Sequence, residues 1–302
     1  MLAPIVLFVY NRLEHTKKTI EALQRNEIAK HSDLIVYSDG AKDGVDVDHV
    51  ALIRAYLRII NGFKRVRIVE REENYGLARS IISGVTEIIE QYEKIIVLED
   101  DMVTSPFFLT YMNNALDLYE SNEDVVSIHG YVYPVNRSLP ETFFLKGADC
   151  WGWATWARGW GVFEIDGKKL LQELKNQKMT RHFDFGGTYP YTQMLEDQIR
   201  GRNNSWAIRW YASAFLAGKY TLYPGTSLVK NIGMDASGTH SGKTDKYYVE
   251  VSEIPVEVKK QPVIENSDAT KAFAEYFERL SYNTQFQKIK FTIKKLLVWV
   301  LR

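Results

Sequence analysis

Residues 94–102 decide the fold and read Lys-Ile-Ile-Val-Leu-Glu-Asp-Asp-Met. The apolar residues in the middle are typical of a β-strand that is buried on both faces. The run stops at the acids Glu99, Asp100 and Asp101, and a buried strand cannot continue through them because each carboxylate would need a partner or water. We therefore expect the acids at the carboxyl end of the strand, where open α/β sheets bind their ligands.

Adjacent carboxylates repel one another unless a cation or hydrogen-bond donors hold them. A hard divalent ion that takes oxygen ligands, Mn²⁺ or Mg²⁺, is therefore the predicted cofactor. The simpler alternative is a solvated acidic turn in which Asp101 or Thr104 caps the next helix. The stretch alone leaves both interpretations open.

Strands and helical segments alternate along the chain. Hydrophobic periodicity predicts strands over 3–10, 33–40, 66–69, 125–131 and 220–224, and helices over 15–24, 50–60, 79–90, 107–119 and 206–215. Such alternation favours a parallel sheet with right-handed crossovers. The predicted fold class is α/β, with a mixed, largely parallel sheet flanked by helices and a helical C-terminal tail.

Polar residues follow each of the first strands, and in a parallel sheet these strand ends share one edge. Besides the acids they include Arg12, Asp39 and Asn74. The chain has neither Gly-x-Gly-x-x-Gly after its first strand nor a phosphate-loop pattern, which argues against a dinucleotide oxidoreductase and a phosphate-loop NTPase. An aspartate can accept hydrogen bonds from a base or ribose, and a metal can bridge a diphosphate, so the edge predicts a nucleoside diphosphate site.

The composition excludes several classes of protein. The 302 residues contain 38 basic and 38 acidic side chains, so no global field steers the protein toward nucleic acid. A single cysteine, Cys150, excludes an internal disulfide framework and fits a reducing, cytoplasmic location. The N-terminus shows no secretory signal pattern, and no run of about 18 apolar residues predicts a membrane span.

Tryptophan is concentrated in residues 150–160, which read Cys-Trp-Gly-Trp-Ala-Thr-Trp-Ala-Arg-Gly-Trp. Aromatic faces suit the C–H faces of pyranose rings and the indole N–H suits hydroxyls, so Trp151, Trp153 and Trp156 are candidates for an acceptor or sugar pocket. Core packing is an equally good interpretation for each tryptophan taken singly. A second acidic pair, Glu196-Asp197, is on its own best interpreted as a solvated helix face.

Two later segments have further features. The Gly- and Ser-rich residues 231–242 predict a loop that reorders around a ligand, and His240 within it could meet the metal or the diphosphate or be merely exposed. Residues 285–302 combine basic and apolar side chains and predict an amphipathic helix that lies on an anionic membrane surface. A terminal helix that packs on the domain or on a second subunit is the alternative.

Several of these motifs together resemble the GT-A fold glycosyltransferases. They are the strand from Pro4 to Arg12, the turn at Asp39, residues 74–78 (Asn-Tyr-Gly-Leu-Ala) and residues 98–101 (Leu-Glu-Asp-Asp). More narrowly, the chain is similar to the N-acetylglucosaminyltransferase I group and its bacterial relatives, and the tryptophan cluster is typical of the bacterial members. The resemblance covers 3–242. It implies a catalytic domain over 1–245, with a nucleotide-binding half (1–101) and an acceptor half (102–245), followed by a C-terminal extension (246–302).

The resemblance also implies roles for individual residues. Arg12 and Asp39 would contact the phosphate and the base of the nucleotide. Asp100 would lie near the ribose, Asp101 would coordinate the metal and Glu99 would orient that site. The run 196–200 resembles the segment that supplies the catalytic base, which is Asp197 with Glu196 as the alternative, because the flanking residues are not the tryptophans of the animal enzymes. His240 lies where the family closes over the donor and is a candidate metal ligand.

The sequence therefore predicts an inverting, metal-dependent glycosyltransferase. It would move a hexosyl or N-acetylhexosaminyl group from a nucleotide-diphosphate sugar, UDP-linked, to a glycan or lipid-linked glycan, in the synthesis of a bacterial surface polysaccharide. The predicted location is cytoplasmic, with peripheral contact to the membrane through 285–302 and no nucleic acid partner. The alternatives are a sugar nucleotidyltransferase, a non-catalytic carbohydrate-binding module, and a membrane-surface protein that acts through its tail.

Overall fold

The computed structural model describes residues 1–236 and 244–281, so His240 and the predicted tail helix lie outside the described residues. In these ranges the strands are β1 (Ile5–Val9), β2 (Asp33–Ser38), β3 (Arg65–Glu70), β4 (Lys94–Glu99), β5 (Met102–Thr104), β6 (Val125–His129), β7 (Thr142–Lys146), β8 (Trp153–Trp156), β9 (Tyr220–Pro224) and β10 (Val229–Asn231). The helices are α1 (Leu13–Gln24), α2 (Gly44–Leu57), α3 (Gly76–Tyr92), α4 (Phe108–Leu118), α5 (Ala157–Trp160), α6 (Gly167–Asn176), α7 (Thr180–Phe183), α8 (Tyr191–Ile199), α9 (Ala207–Leu216) and α10 (267–281).

A mixed sheet with the strand order β3-β2-β1-β4-β8-β6-β9-β7 runs through the protein. Strands β3, β2, β1 and β4 are parallel, and β8 runs antiparallel between β4 and β6. Strand β9 is parallel to β6, and β7 closes the far edge in the antiparallel sense. The predicted fold class, a largely parallel sheet flanked by helices, is confirmed.

Both faces of the sheet are covered, as the apolar run in β4 predicts. Its side chains alternate between two cores, because successive residues of a strand point to opposite faces. Ile96 and Leu98 belong to the core shared with α1, α2 and α4, whereas Ile95 and Val97 belong to the core shared with α3 and α9. All of these side chains are buried.

Two differences from the predicted elements have physical reasons. Helix α2 begins at Gly44 rather than at residue 50, because the Asp43 side chain caps it and accepts a hydrogen bond from the Val45 amide at 3.1 Å. The tryptophan-rich segment contains a strand, β8, that the spacing of its residues did not predict. It is inserted between β4 and β6, so its pattern reflects burial on both faces rather than alternation.

The described part of the C-terminal extension packs on the far edge of the sheet. Phe273 and Phe277 of α10 lie in one core cluster with Phe143 of β7 and Tyr223 of β9. Over 1–236 and 244–281, the structure contains no helix with the length and apolar character needed to cross a bilayer.

Candidate active site

The acids of the opening stretch lie at the carboxyl end of β4, as predicted. Asp100 and Asp101 follow the strand directly and are only 5% and 8% exposed. Their backbone is held on two sides, since the Asp100 carbonyl accepts a hydrogen bond from Thr19 Oγ1 at 2.8 Å and the Asp101 carbonyl accepts one from the Ile232 amide at 2.9 Å. Helix α1 and the segment after β10 therefore fix the acidic turn.

Arg12, at the start of α1, is the cation of this turn. Its Nη2 donates to Asp100 Oδ1 and, at 2.8 Å, to Asp101 Oδ2, while its Nε lies 3.3 Å from Asp100 Oδ2. Residues 88 positions apart meet here because β1 and β4 are neighbours in the sheet. The structure thus brings together Arg12, Asp100 and Asp101.

One oxygen of this cluster remains without a donor. Asp101 Oδ1 is buried and accepts no hydrogen bond from the residues in 1–236 and 244–281. A buried carboxylate oxygen that is left unsatisfied costs free energy unless a cation or donor reaches it. A Cβ atom added at Gly233 would lie 2.1 Å from Asp101 Oδ2, so the absence of a side chain at this position lets the backbone approach the carboxylate.

The electrostatics of the cluster favour a further positive charge. Burial raises the pKa of the Glu99 carboxyl, and the charges of Asp101 and Asp100 add to this rise. Burial also raises the pKa of Asp100, while Arg12 opposes the rise. No group of three or more metal-binding side chains is assembled among the residues that the structure describes. These residues fit an ion such as Mg²⁺, which proteins usually bind through one or two carboxylates plus the phosphates of the substrate.

Asp39 lies at the end of β2 and holds the start of α3. Its Oδ1 accepts hydrogen bonds from the amides of Gly40 and Tyr75, at 3.0 and 2.9 Å, and its Oδ2 accepts one from the Gly76 amide at 2.9 Å. The Asn74 side chain donates to the Gly40 carbonyl at 2.8 Å. The predicted base-contacting aspartate therefore also ties two elements of the nucleotide-binding half together.

The structure separates the three candidate tryptophans. Trp153 is buried in the sheet core, where its ring lies 5.5 Å from Trp206 and 5.8 Å from Trp210. Trp156 is also buried, and its Nε1 donates to the Leu116 carbonyl at 3.2 Å. Only Trp151 of the three keeps part of its surface exposed. The core interpretation therefore describes the places of Trp153 and Trp156.

The structure does not bring the acidic pair of α8 to this turn. Asp197 Oδ1 accepts hydrogen bonds from Gln193 at 3.0 Å and Arg202 at 3.1 Å. Glu196 pairs with Lys175 at 3.2 Å and with Arg200 at 3.3 Å. Within the described ranges, no hydrogen bond or ion pair joins Glu196 or Asp197 to residues 99–101.

One carboxylate near the site was not singled out from the sequence. Asp149 leads into β8 and is 24% exposed, and its Oδ1 accepts a hydrogen bond from the Cys150 amide at 2.8 Å. It lies among tyrosines that come from several elements of the fold. A lone acid carries no pattern of its own, and the only available signal was its position just before an apolar run, 153–156, that forms a strand.

The comparisons with known proteins place the chain in a family. The family model described as glycosyl transferase family 2 matches residues 5–188. The chain therefore belongs to glycosyl transferase family 2, and the predicted enzyme class, a glycosyltransferase, is confirmed. This membership favours the glycosyltransferase over the nucleotidyltransferase and the binding module.

Two solved structures are similar to parts of the chain. The mannosyltransferase PcManGT from Pyrobaculum calidifontis, solved in complex with GDP-Man and Mn²⁺, is 13% identical with a TM-score of 0.32, and the match covers 44% of this chain and 36% of that one. TarS from S. aureus is 16% identical with a TM-score of 0.32, and the match covers 48% of this chain and 24% of that one. The chain therefore spans well under half of either protein. A search of curated proteins found no match.

Proposed function

We propose that this family 2 member is an inverting, metal-dependent transferase that uses a nucleoside diphosphate sugar, UDP-linked, as its donor. The observation that carries the proposal is the turn after β4, where Asp101 presents a buried, unsatisfied oxygen beside Arg12. The solved complex of PcManGT contains a nucleotide sugar, GDP-Man, together with Mn²⁺. The narrower likeness to the N-acetylglucosaminyltransferase I group belongs to the same proposal.

Asp101 would hold Mn²⁺ or Mg²⁺, with Asp100 beside it and His240 as a further predicted ligand. Bound there, either ion would neutralise charge on the departing diphosphate. Hard oxygen ligands of this kind suit both ions. Glu99, at the end of β4, would orient the turn.

The nucleotide would lie along the edge formed by the ends of β1, β2 and β4. Arg12 would add charge-assisted hydrogen bonds to the diphosphate. Asp39 would accept a hydrogen bond from the base, since a carboxylate has about four acceptor positions and backbone amides use only part of them. Asp100 would lie near the ribose. Residues 1–101 would thus bind the donor and residues 102–245 the acceptor.

The resemblance implies Asp197 or Glu196 as the carboxylate that takes the proton of the acceptor hydroxyl. In the structure each would first have to release a basic side chain, Arg202 from Asp197 and Lys175 or Arg200 from Glu196. The acceptor would be a glycan or a lipid-linked glycan of a bacterial surface polysaccharide. Contact with a membrane through 285–302 and a cytoplasmic location complete the proposal.

Calorimetric titration of UDP and GDP into the full chain, with Mn²⁺ and then with EDTA, tests this function. We expect binding that requires the metal and that Asp101→Asn abolishes, while the matched variant Asp197→Asn keeps it. Binding of GDP, dTDP or CMP without binding of UDP would correct only the donor. No nucleotide binding under either condition would overturn the proposal.

A further inference from the structure

Asp149 carries a charge that the protein does not neutralise. In the described residues, no lysine or arginine lies within 4.0 Å of its carboxylate, and no backbone amide or hydroxyl donates to its Oδ2. The nearest ionisable partner is His129, whose Nε2 lies 4.0 Å from Asp149 Oδ1. That nitrogen accepts a hydrogen bond from the Trp151 amide at 3.1 Å, and burial lowers the pKa of the imidazole, so His129 is neutral. Asp149 therefore keeps an accessible oxygen that can take up a proton.

Tyrosines from four different parts of the fold surround this carboxylate. Tyr133 follows β6, Tyr191 begins α8, Tyr211 lies on α9 and Tyr223 lies on β9. Burial raises the pKa of each phenol, and the charge of Asp149 is the next largest cause in all of them. The ring centroids of Tyr191 and Tyr211 are 4.7 Å apart. These rings make an aromatic wall beside Asp149.

Part of this wall is open to solvent. Tyr133, Tyr191, Tyr211 and Trp151 are only partly buried, in contrast to the core tryptophans. Half-exposed aromatic faces suit the C–H faces of a pyranose ring, and phenol and indole groups can meet its hydroxyls. We call this surface, formed by Trp151, Tyr133, Tyr191 and Tyr211, the aromatic cleft.

The aromatic cleft adjoins the end of β4. Trp153 of β8 pairs with Val97 of β4 in the antiparallel sense, so the segment that enters β8 lies at the edge where the acids leave β4. The thiol of Cys150 reports the same proximity, because burial raises its pKa and the charges of Asp149, Glu99 and Asp101 add to the rise. A sugar held in the aromatic cleft would thus stand next to the proposed donor site.

The pair on α8 has a different aspect. Tyr191 starts this helix and faces Asp149, whereas Asp197 comes six residues later, which in an α-helix is about 9 Å along the axis and about 120° around it. Asp197 is paired with Arg202 there. The helix therefore presents an aromatic residue, rather than its acids, to the aromatic cleft.

We propose that the aromatic cleft binds the acceptor as a pyranoside and that Asp149 is the general base of the transfer. This inference rests on the proposed function. As the acceptor oxygen forms its bond to the anomeric carbon, the bond from that carbon to the diphosphate oxygen breaks and its electron pair leaves with the nucleoside diphosphate. The proton of the acceptor hydroxyl passes to the Asp149 carboxylate.

Matched variants test the base. With UDP- and GDP-sugars as donors and p-nitrophenyl pyranosides as acceptors, Asp149→Asn should lower the transfer-dependent release of nucleotide by about 100-fold or more, as expected for the loss of a general base. Asp197→Asn and Glu196→Gln should stay within about threefold of the wild type. Metal-dependent nucleotide binding by Asp149→Asn should equal that of the wild type. Near-normal transfer by Asp149→Asn, or a large loss in Asp197→Asn, would overturn the assignment.

Saturation-transfer NMR with the same p-nitrophenyl pyranosides tests the aromatic cleft without turnover. We expect a signal with the wild type and with Asp149→Asn, and its loss in Trp151→Ala but not in the exposed control Tyr248→Ala. A wild type that binds nucleotide with Mn²⁺ but gives no pyranoside signal would overturn the aromatic cleft alone. Failure of nucleotide binding would instead refute the proposed function on which it rests.

Discussion

Two pairs of adjacent acids were assigned catalytic roles from the sequence, and the structure gives them opposite surroundings. Asp100 and Asp101 are buried at the end of β4, share one arginine and leave one oxygen unsatisfied. Glu196 and Asp197 have side chains that are 23% and 29% exposed on α8, and each has its own basic partner. The first pair is held in a costly state that a ligand can relieve. The second pair is satisfied as it stands.

This contrast shows what an acidic pair in a sequence leaves undetermined. Desolvation makes the buried pair depend strongly on its counterion, whereas exposed ion pairs contribute only about 0–1 kcal/mol. The residue types are nearly the same in both places. What differs is whether the neighbours have already met the charge.

Removal of the arginine from each pair should give the largest difference. Arg12→Ala leaves two buried carboxylates without their counterion, so we expect the free energy of unfolding to fall by about 3 kcal/mol or more. Arg202→Ala on α8 should cost less than about 1 kcal/mol. Urea unfolding of both variants at neutral pH measures the two values.

The dependence of this loss on pH has a definite sign. Burial raises the pKa of Asp100 and Arg12 opposes the rise, so without Arg12 the carboxyl takes up its proton at a higher pH. The deficit of Arg12→Ala should therefore be smaller at about pH 5 than at about pH 8. Mn²⁺ should restore part of the stability. Equal losses in Arg12→Ala and Arg202→Ala would mean that burial does not distinguish the two pairs.

A smaller effect should follow from filling the space beside Asp101. In Gly233→Ala the new Cβ would lie 2.1 Å from Asp101 Oδ2 and 3.0 Å from Arg12 Nη1, so the carboxylate or the backbone must move. Such overpacking costs about 1–3 kcal/mol of unfolding free energy. We expect metal-dependent nucleotide affinity to fall by about tenfold, as for a perturbation of about 1.4 kcal/mol.

Gly44→Ala is the matched control for this change, because a Cβ there meets nothing within 4 Å. It should leave both the stability and the calorimetric affinity near those of the wild type. If Gly233→Ala bound nucleotide as well as Gly44→Ala did, the approach of the backbone to Asp101 would not matter for the site.

The parts of the fold that sequence predicted are those in which neighbours along the chain carry the signal. An apolar run that stops at acids predicted both β4 and the position of its acids, because desolvation ends such a strand within a few residues. Burial of Asp100 and Asp101 at a strand end follows from the same local pattern. Their contact with Arg12 follows from the parallel sheet, once β1 and β4 are neighbours.

The parts that sequence did not predict depend on residues far apart in the chain. Trp151 and Trp153 are two positions apart, yet one is half-exposed and the other lies in the core because β8 is inserted between β4 and β6. Asp149 acquires its place from tyrosines that converge from β6, α8, α9 and β9. Only the tertiary arrangement distinguishes this acid from any other loop aspartate.

Asp39 offers a third setting for a carboxylate, buried like Asp101 but already satisfied by backbone amides. Asp39→Asn keeps one acceptor and turns an amide group toward an N–H donor at the start of α3, so we expect a loss of about 1–2 kcal/mol in the free energy of unfolding. Asp43→Asn, at the cap of α2, should be nearly neutral, since Asp and Asn cap equally well. Urea unfolding and amide hydrogen exchange at Tyr75 and Gly76 compare the variants. Equal stability of the two would show that α3 is held by packing alone, and the order expected here, Arg12 above Gly233 above Asp39, would lose its smallest member.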